Sequence, residues 1–124
     1  MKSRTLARLA AALPAAGLLL LAGCASGNRH QPLYYWGEYQ PALYGHFTKE
    51  QGPQEQIAAL EAGLEKARAR SLAVPPGYHA HLGILYAESE QPDQMLRHFE
   101  AEKILYPESA AYMDFLMRKA VKSD

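Results

Sequence analysis

The sequence predicts an all-α fold of short antiparallel helical hairpins, closed by one further helix at the C-terminus. Three observations predict it. From residue 54 onward, apolar side chains recur at steps of three and four, the period of an amphipathic helix. The periodic stretches are cut by Gly52-Pro53, Pro75-Pro76-Gly77, Gln91-Pro92-Asp93 and Pro107. The pieces between these breaks are too short to be stable alone, and short connections make neighbours antiparallel.

Each element follows in order. In PLYYWGEYQPALYGHF (residues 32–47), Trp36, Tyr39, Leu43 and Phe47 recur at helical steps, and Pro41 requires a kink or a fresh helix start. The next helix runs from Gln54 to Ser71, with Ile57, Leu60, Leu64 and Ala67 on one face and Pro53 at its first turn. A third runs from Tyr78 to Ser89 with Tyr78, Leu82, Leu85 and Tyr86 on one side. Met95, Leu96, Phe99 and Ile104 lie in the fourth, which Pro107 ends. Ser109 is placed to cap a last helix through Tyr112, Phe115, Leu116 and Ala120.

The N-terminus reads as a targeting segment. Lys2, Arg4 and Arg8 precede an uncharged run, Leu9 to Ala22, that is short for a membrane span of about 20 residues. It ends in Leu21-Ala22-Gly23-Cys24, which resembles the lipobox of bacterial lipoprotein precursors. The resemblance implies cleavage between Gly23 and Cys24, with diacylglycerol and an N-acyl chain on Cys24. Cys24 is the only cysteine, so a disulfide within the chain is excluded. Lipid at that position exceeds the roughly two-chain requirement for stable anchoring.

Residues 1–23 are thus expected to be a signal peptide, 24–32 a lipidated cysteine and polar tether, and 33–121 the helical domain. Three of the 13 basic residues precede Cys24 and all 13 acidic residues follow it, leaving a mature formal charge of −3. Nucleic acid is not the expected partner of such a chain. Ala25 and Ser26 follow the cysteine where inner-membrane retention in well-understood lipoproteins needs Asp. The expected location is therefore the periplasmic face of the outer membrane.

Little in the chain suggests chemistry. His79 and His81 lie two apart, about 200° around a helix, whereas helical metal pairs want a spacing of four. One packed and one exposed imidazole is the expectation, and no metal. Glu88, Glu90, Asp93, Glu100 and Glu102 bracket one turn and read as solvated helix ends. No GxSxG, P-loop or HExxH sequence is present, and no enzyme activity is expected. The aromatic segment divides into two roles. Trp36, Tyr39, Tyr44 and Phe47 can bury against the Gln54–Ser71 helix, with Tyr39, Leu43 and Phe47 the favoured core positions. Tyr34, Tyr35 and Trp36 cannot all face inward on one helix, and they are the candidate partner contacts.

A repeat pattern sharpens the hairpin reading. His79, Leu82-Gly83, Tyr86, Met95, Phe99 and Pro107 resemble the tetratricopeptide pattern, matching five of its positions, with His79 and Met95 the departures. Gly83 would let the second helix approach, and Tyr86 and Phe99 would fill the space between the two. Aligning Gly45 with Gly83 gives a degenerate earlier repeat, 38 positions upstream.

The blocks YYWGEYQPALY, VPPGYHAHLGILYAESEQPDQMLRHFEAEKILYPES and AAYMDFLM are similar to the bacterial lipoproteins grouped as domain of unknown function 4810. That resemblance implies an outer-membrane lipoprotein often encoded beside a lipoprotein similar to the curli secretion channel. The expected function is a non-catalytic protein-interaction module accessory to a channel-like envelope lipoprotein complex. The alternative is a periplasmic lipoprotein that captures a peptide or cell-wall fragment.

Overall fold

The structure, a computed structural model, describes residues 31–121. The expected signal peptide, the Gly23–Cys24 cleavage site, the lipid on Cys24 and the tether through residue 30 lie outside the described residues. Five helices follow one another: α1 (Tyr39–Thr48), α2 (Pro53–Ala69), α3 (Tyr78–Glu88), α4 (Pro92–Leu105) and α5 (Ala110–Val121), with a 3-10 turn at Pro107–Ser109. The described residues hold no strand, only an isolated parallel bridge between Tyr34 and Ala73. The protein is all-α.

The helix boundaries follow from local chemistry. α2 and α4 both begin on proline, whose missing N–H would have no intrahelical partner in the first turn. Pro41 is the third residue of α1, so its ring marks a fresh helix start rather than a kink. Helices α1, α2 and α3 each end beside a non-glycine residue in the left-handed region: Lys49, Ser71 and Glu90. At α2 and α3 the chain then folds back, with Leu72 N–H donating to the Ala67 carbonyl and Gln91 N–H to that of Tyr86.

Packing is local along the sequence: α1 on α2, α2 on α3, α3 on α4, α4 on α5, with α3–α4 the most extensive pair. Leu60, Tyr78, Leu82 and Leu85 are fully buried at the centre, and Tyr86, Met95, Phe99 and Met113 extend the core toward α5. Gly83 sits directly under Phe99: a Cβ there would lie 2.5 Å from Phe99 Cδ1. Leu82, Gly83, Tyr86, Met95 and Phe99 are all buried. Pro107 is exposed and opens the 3-10 turn after α4.

The aromatic segment departs from expectation. Residues 34–36 are extended, not helical, because Tyr35 N–H donates to the Ala73 carbonyl at 2.7 Å. In extended backbone successive side chains point to opposite sides. Tyr35 therefore turns inward and is buried, while Trp36 is 46% exposed and Tyr34 half-buried. Tyr35 is thus not an open contact residue. Tyr39 packs its ring on Tyr78 at 5.2 Å, and Leu43 is half-buried. Phe47 is 76% exposed and Tyr44 is also exposed, so neither is core. The buried face of α1 carries Ala42 and Gly45 instead.

Two C-terminal expectations change as well. Ser109 lies in the 3-10 turn and its hydroxyl donates to the Tyr106 carbonyl at 2.7 Å, so it does not cap α5. The inward face of α5 is Met113 with Leu116, Met117 and Ala120, leaving Tyr112 and Phe115 outside.

Candidate functional site

The side chains that suggest chemistry gather along α3. Its N-terminus has no cap of its own, because Gly77 sits there at φ 90° without a side chain. Glu102 of α4, fully buried, supplies the missing acceptors. Gly77 N–H donates to Glu102 Oε1 at 2.7 Å and Ala80 N–H to Oε2 at 3.2 Å. A carboxylate at a helix N-terminus satisfies orphan amides and meets the positive end of the dipole. Glu102 is therefore a structural clamp between two helices, not a solvated helix end.

A second polar group joins α2, α3 and α4. Glu61 Oε1 accepts from the Tyr86 hydroxyl at 2.9 Å and lies 3.1 Å from His98 Nε2. His98 Nδ1 faces His79 Nδ1 at 2.9 Å. The ring centroids are 5.2 Å apart, longer than the nitrogen distance by two ring radii, so the imidazoles meet edge to edge. One neutral arrangement satisfies the chain. His98 Nε2–H donates to Glu61, His98 Nδ1 accepts, and His79 Nδ1–H donates. His81 is held separately, its Nε2 3.2 Å from Gln56 Oε1, while Gln56 Nε2 donates to the Gln51 carbonyl. Neither His79 nor His81 is exposed, which corrects the expectation of one packed and one open imidazole. His98 lies on another helix, α4, and only the packing of α3 on α4 brings it to His79.

These histidines are held neutral. Burial, aided by neighbouring His98, pushes His79 down to about 4. Burial, with His46 adding to it, does the same to His81, also to about 4. His98 is lowered by burial against the opposing pull of Glu61. In an unfolded chain His79 and His81 take up protons near pH 6.5, whereas in the folded one they resist until about pH 4. Stability present above pH 6.5 is therefore lost as pH falls toward 4, by roughly a few kcal/mol in sum. The urea midpoint should fall between pH 7.5 and pH 5.5, a window that lies above most carboxylate titration. Equal midpoints at the two pH values would contradict this account of the seam.

Among the described residues no group of three or more His, Cys, Asp or Glu is arranged to hold a metal ion. A shallow depression of about 420 Å³ opens between the α1–α2 turn and the end of α3, lined by His46, Lys49, Gln51, Gln56 and Glu88 among others. The Gln56 amide in its wall is already engaged on both sides by Gln51 and His81.

Beside the exposed Tyr44 and Phe47 of α1 and Ile104 of α4, two further outward apolar faces stand out. On α5, the exposed rings of Tyr112 and Phe115 stack at 6.3 Å with an interplanar angle of 18°. Lys119 Nζ lies 6.0 Å from the Phe115 ring. At the other end of the described chain, Leu33 and Trp36 are exposed beside Tyr34. Of the three candidate contacts, Trp36 is the most open, Tyr34 is partly covered, and Tyr35 is closed off. The α5 pair was missed in the sequence because its spacing also fits a core stripe. No helix among the described residues is long and apolar enough to cross a membrane.

No curated protein and no solved structure matches the chain. Residues 33–116, all five helices but the end of α5, match the family described as a domain of unknown function (DUF4810). The chain belongs to the DUF4810 family.

Proposed function

We propose that this chain is a lipid-anchored outer-membrane lipoprotein whose helical domain is a non-catalytic protein-interaction module, accessory to a curli-channel-like envelope lipoprotein complex. The observation that carries the reading is the Tyr112–Phe115 face. The inward side of α5 is already filled by Met113, Leu116 and Met117, so the two rings outside add nothing to the core. Stacked, exposed aromatics on the last helix of a stack are the kind of anchor on which interfaces concentrate their energy.

The reading takes the hairpins as tetratricopeptide-like. Helices pack on sequence neighbours, and Gly83 under Phe99 reproduces the close helix approach of that repeat. The earlier pair, α1 and α2, is degenerate: the Cβ position of Gly45 is covered by the Gln51 side chain rather than by an aromatic ring of α2.

The anchor is tested by Cys24→Ser, which should leave the protein soluble or as uncut precursor. Outer-membrane fractionation unchanged from the wild type would contradict lipidation at Cys24. The interaction is tested by Tyr112→Ser/Phe115→Ser, which should abolish recovery of an envelope lipoprotein with the wild-type partner.

A further inference from the structure

Leu33 and Trp36 are exposed near the start of the described chain, with Tyr34 half-buried between them. Tyr35 is buried and its N–H is bonded to Ala73, which leaves Trp36 46% exposed and Tyr34 half-buried on the other side of the extended segment. Leu33 is 74% exposed. The Tyr34 ring meets Trp36 edge-on at 6.2 Å and Tyr106 at 6.4 Å, which joins the N-terminal segment to the end of α4. Leu105, the chain neighbour of Tyr106, is exposed too. Arg70 places its guanidinium 5.3 Å from the buried Tyr35 ring. Exposed Glu38 and Glu108 also lie in the adjoining turns, so no strong net charge drives this patch. What it offers is a tryptophan and a tyrosine, the rings that favour the headgroup layer of a bilayer, beside a leucine that favours the acyl region under it.

Chain length says which surface covers it. Eight residues, Ala25 to Pro32, separate Cys24 from Leu33, and fully extended they reach at most about 30 Å. If Cys24 carries lipid, as proposed above, Leu33 cannot leave the neighbourhood of the membrane. A tether this short raises the effective concentration of the bilayer to roughly the millimolar range, so even a weak interfacial contact is occupied.

We infer that the Leu33–Tyr34–Trp36 face rests in the interfacial layer of the bilayer that holds the Cys24 lipid. This fixes the orientation of the domain, with the extended segment against the membrane. The inference depends on lipidation at Cys24.

Trp36 is the only tryptophan, so its fluorescence reports on this face alone. The lipidated full-length protein is reconstituted into phosphatidylethanolamine–phosphatidylglycerol vesicles, with or without phospholipids brominated in the acyl chains. Vesicle flotation and intact mass are read from the same samples. The expected result is a protein that floats and carries acyl mass, with blue-shifted emission and a roughly twofold or larger fall on bromination. Leu33→Asp should still float but lose most of that quenching. Floating, acylated protein whose emission ignores bromination overturns the docking inference and leaves the anchor standing; it is also the outcome expected if this face binds a protein. Quenching unchanged in Leu33→Asp likewise overturns docking by this face. Protein without acyl mass that fails to float overturns the anchor reading, and the docking inference with it.

Discussion

Phe99→Ala should cost the domain about 3–5 kcal/mol, the range for deleting a fully buried aromatic ring. Phe99 is 2% exposed and fills the ground over Gly83, so its loss opens the most extensive helix contact in the molecule. The same contact predicts a coupling. Gly83→Ala pushes a methyl into the ring and should cost about 1–3 kcal/mol by overpacking, less about 1 kcal/mol returned by helix propensity. Combined with Phe99→Leu, which frees space where the methyl must go, the two costs should sum to less than their separate values by at least about 0.5 kcal/mol. Urea unfolding of the four proteins measures this. Additive costs would mean that Gly83 and Phe99 do not form the close approach between α3 and α4.

Glu102→Ala should be the most damaging change at a charged position. It leaves the amides of Gly77 and Ala80 without their acceptor in a part-buried setting, at about 1–3 kcal/mol for such groups, and it empties the space of a buried side chain. Glu102→Gln keeps one acceptor oxygen and should recover part of the loss. Glu100→Ala, two residues away on the exposed side of α4, removes only a surface pair with Lys103 and should stay within about 0.5 kcal/mol. If the Glu102 and Glu100 variants were equally stable, the cap assigned to Glu102 would be wrong.

Those residues also mark the limit of what the sequence could say. Prolines and glycines set the bounds of α2, α3 and α4 within a residue or two, because each breaker acts on its own backbone. The close approach at Gly83 was expected from a resemblance in spacing that sets Gly83 on one helix and Phe99 on the next. Glu102 was not, since its partners lie 25 and 22 residues upstream and meet it only after α3 and α4 pair. The extended path of Tyr34 to Trp36 depends on one bond to Ala73, which no local period encodes. On α5 the choice was ambiguous: residues 112, 115, 116 and 120 and residues 113, 116, 117 and 120 both make a helical stripe. Sequence reasoning favoured the larger rings, and packing took Met113, whose flexible chain fits the space left beside α4.

That inversion of α5 leaves its aromatic pair outward, and the proposed function rests on it. The most direct test is purification of the lipidated protein from membranes in mild detergent, beside a Tyr112→Ser/Phe115→Ser variant shown to be folded by its urea midpoint. The interaction-module account predicts that a channel-like envelope lipoprotein accompanies the wild type in stoichiometric amount and is lost with the variant. Recovery of no envelope protein with the wild type, or equal recovery with both proteins, would contradict it.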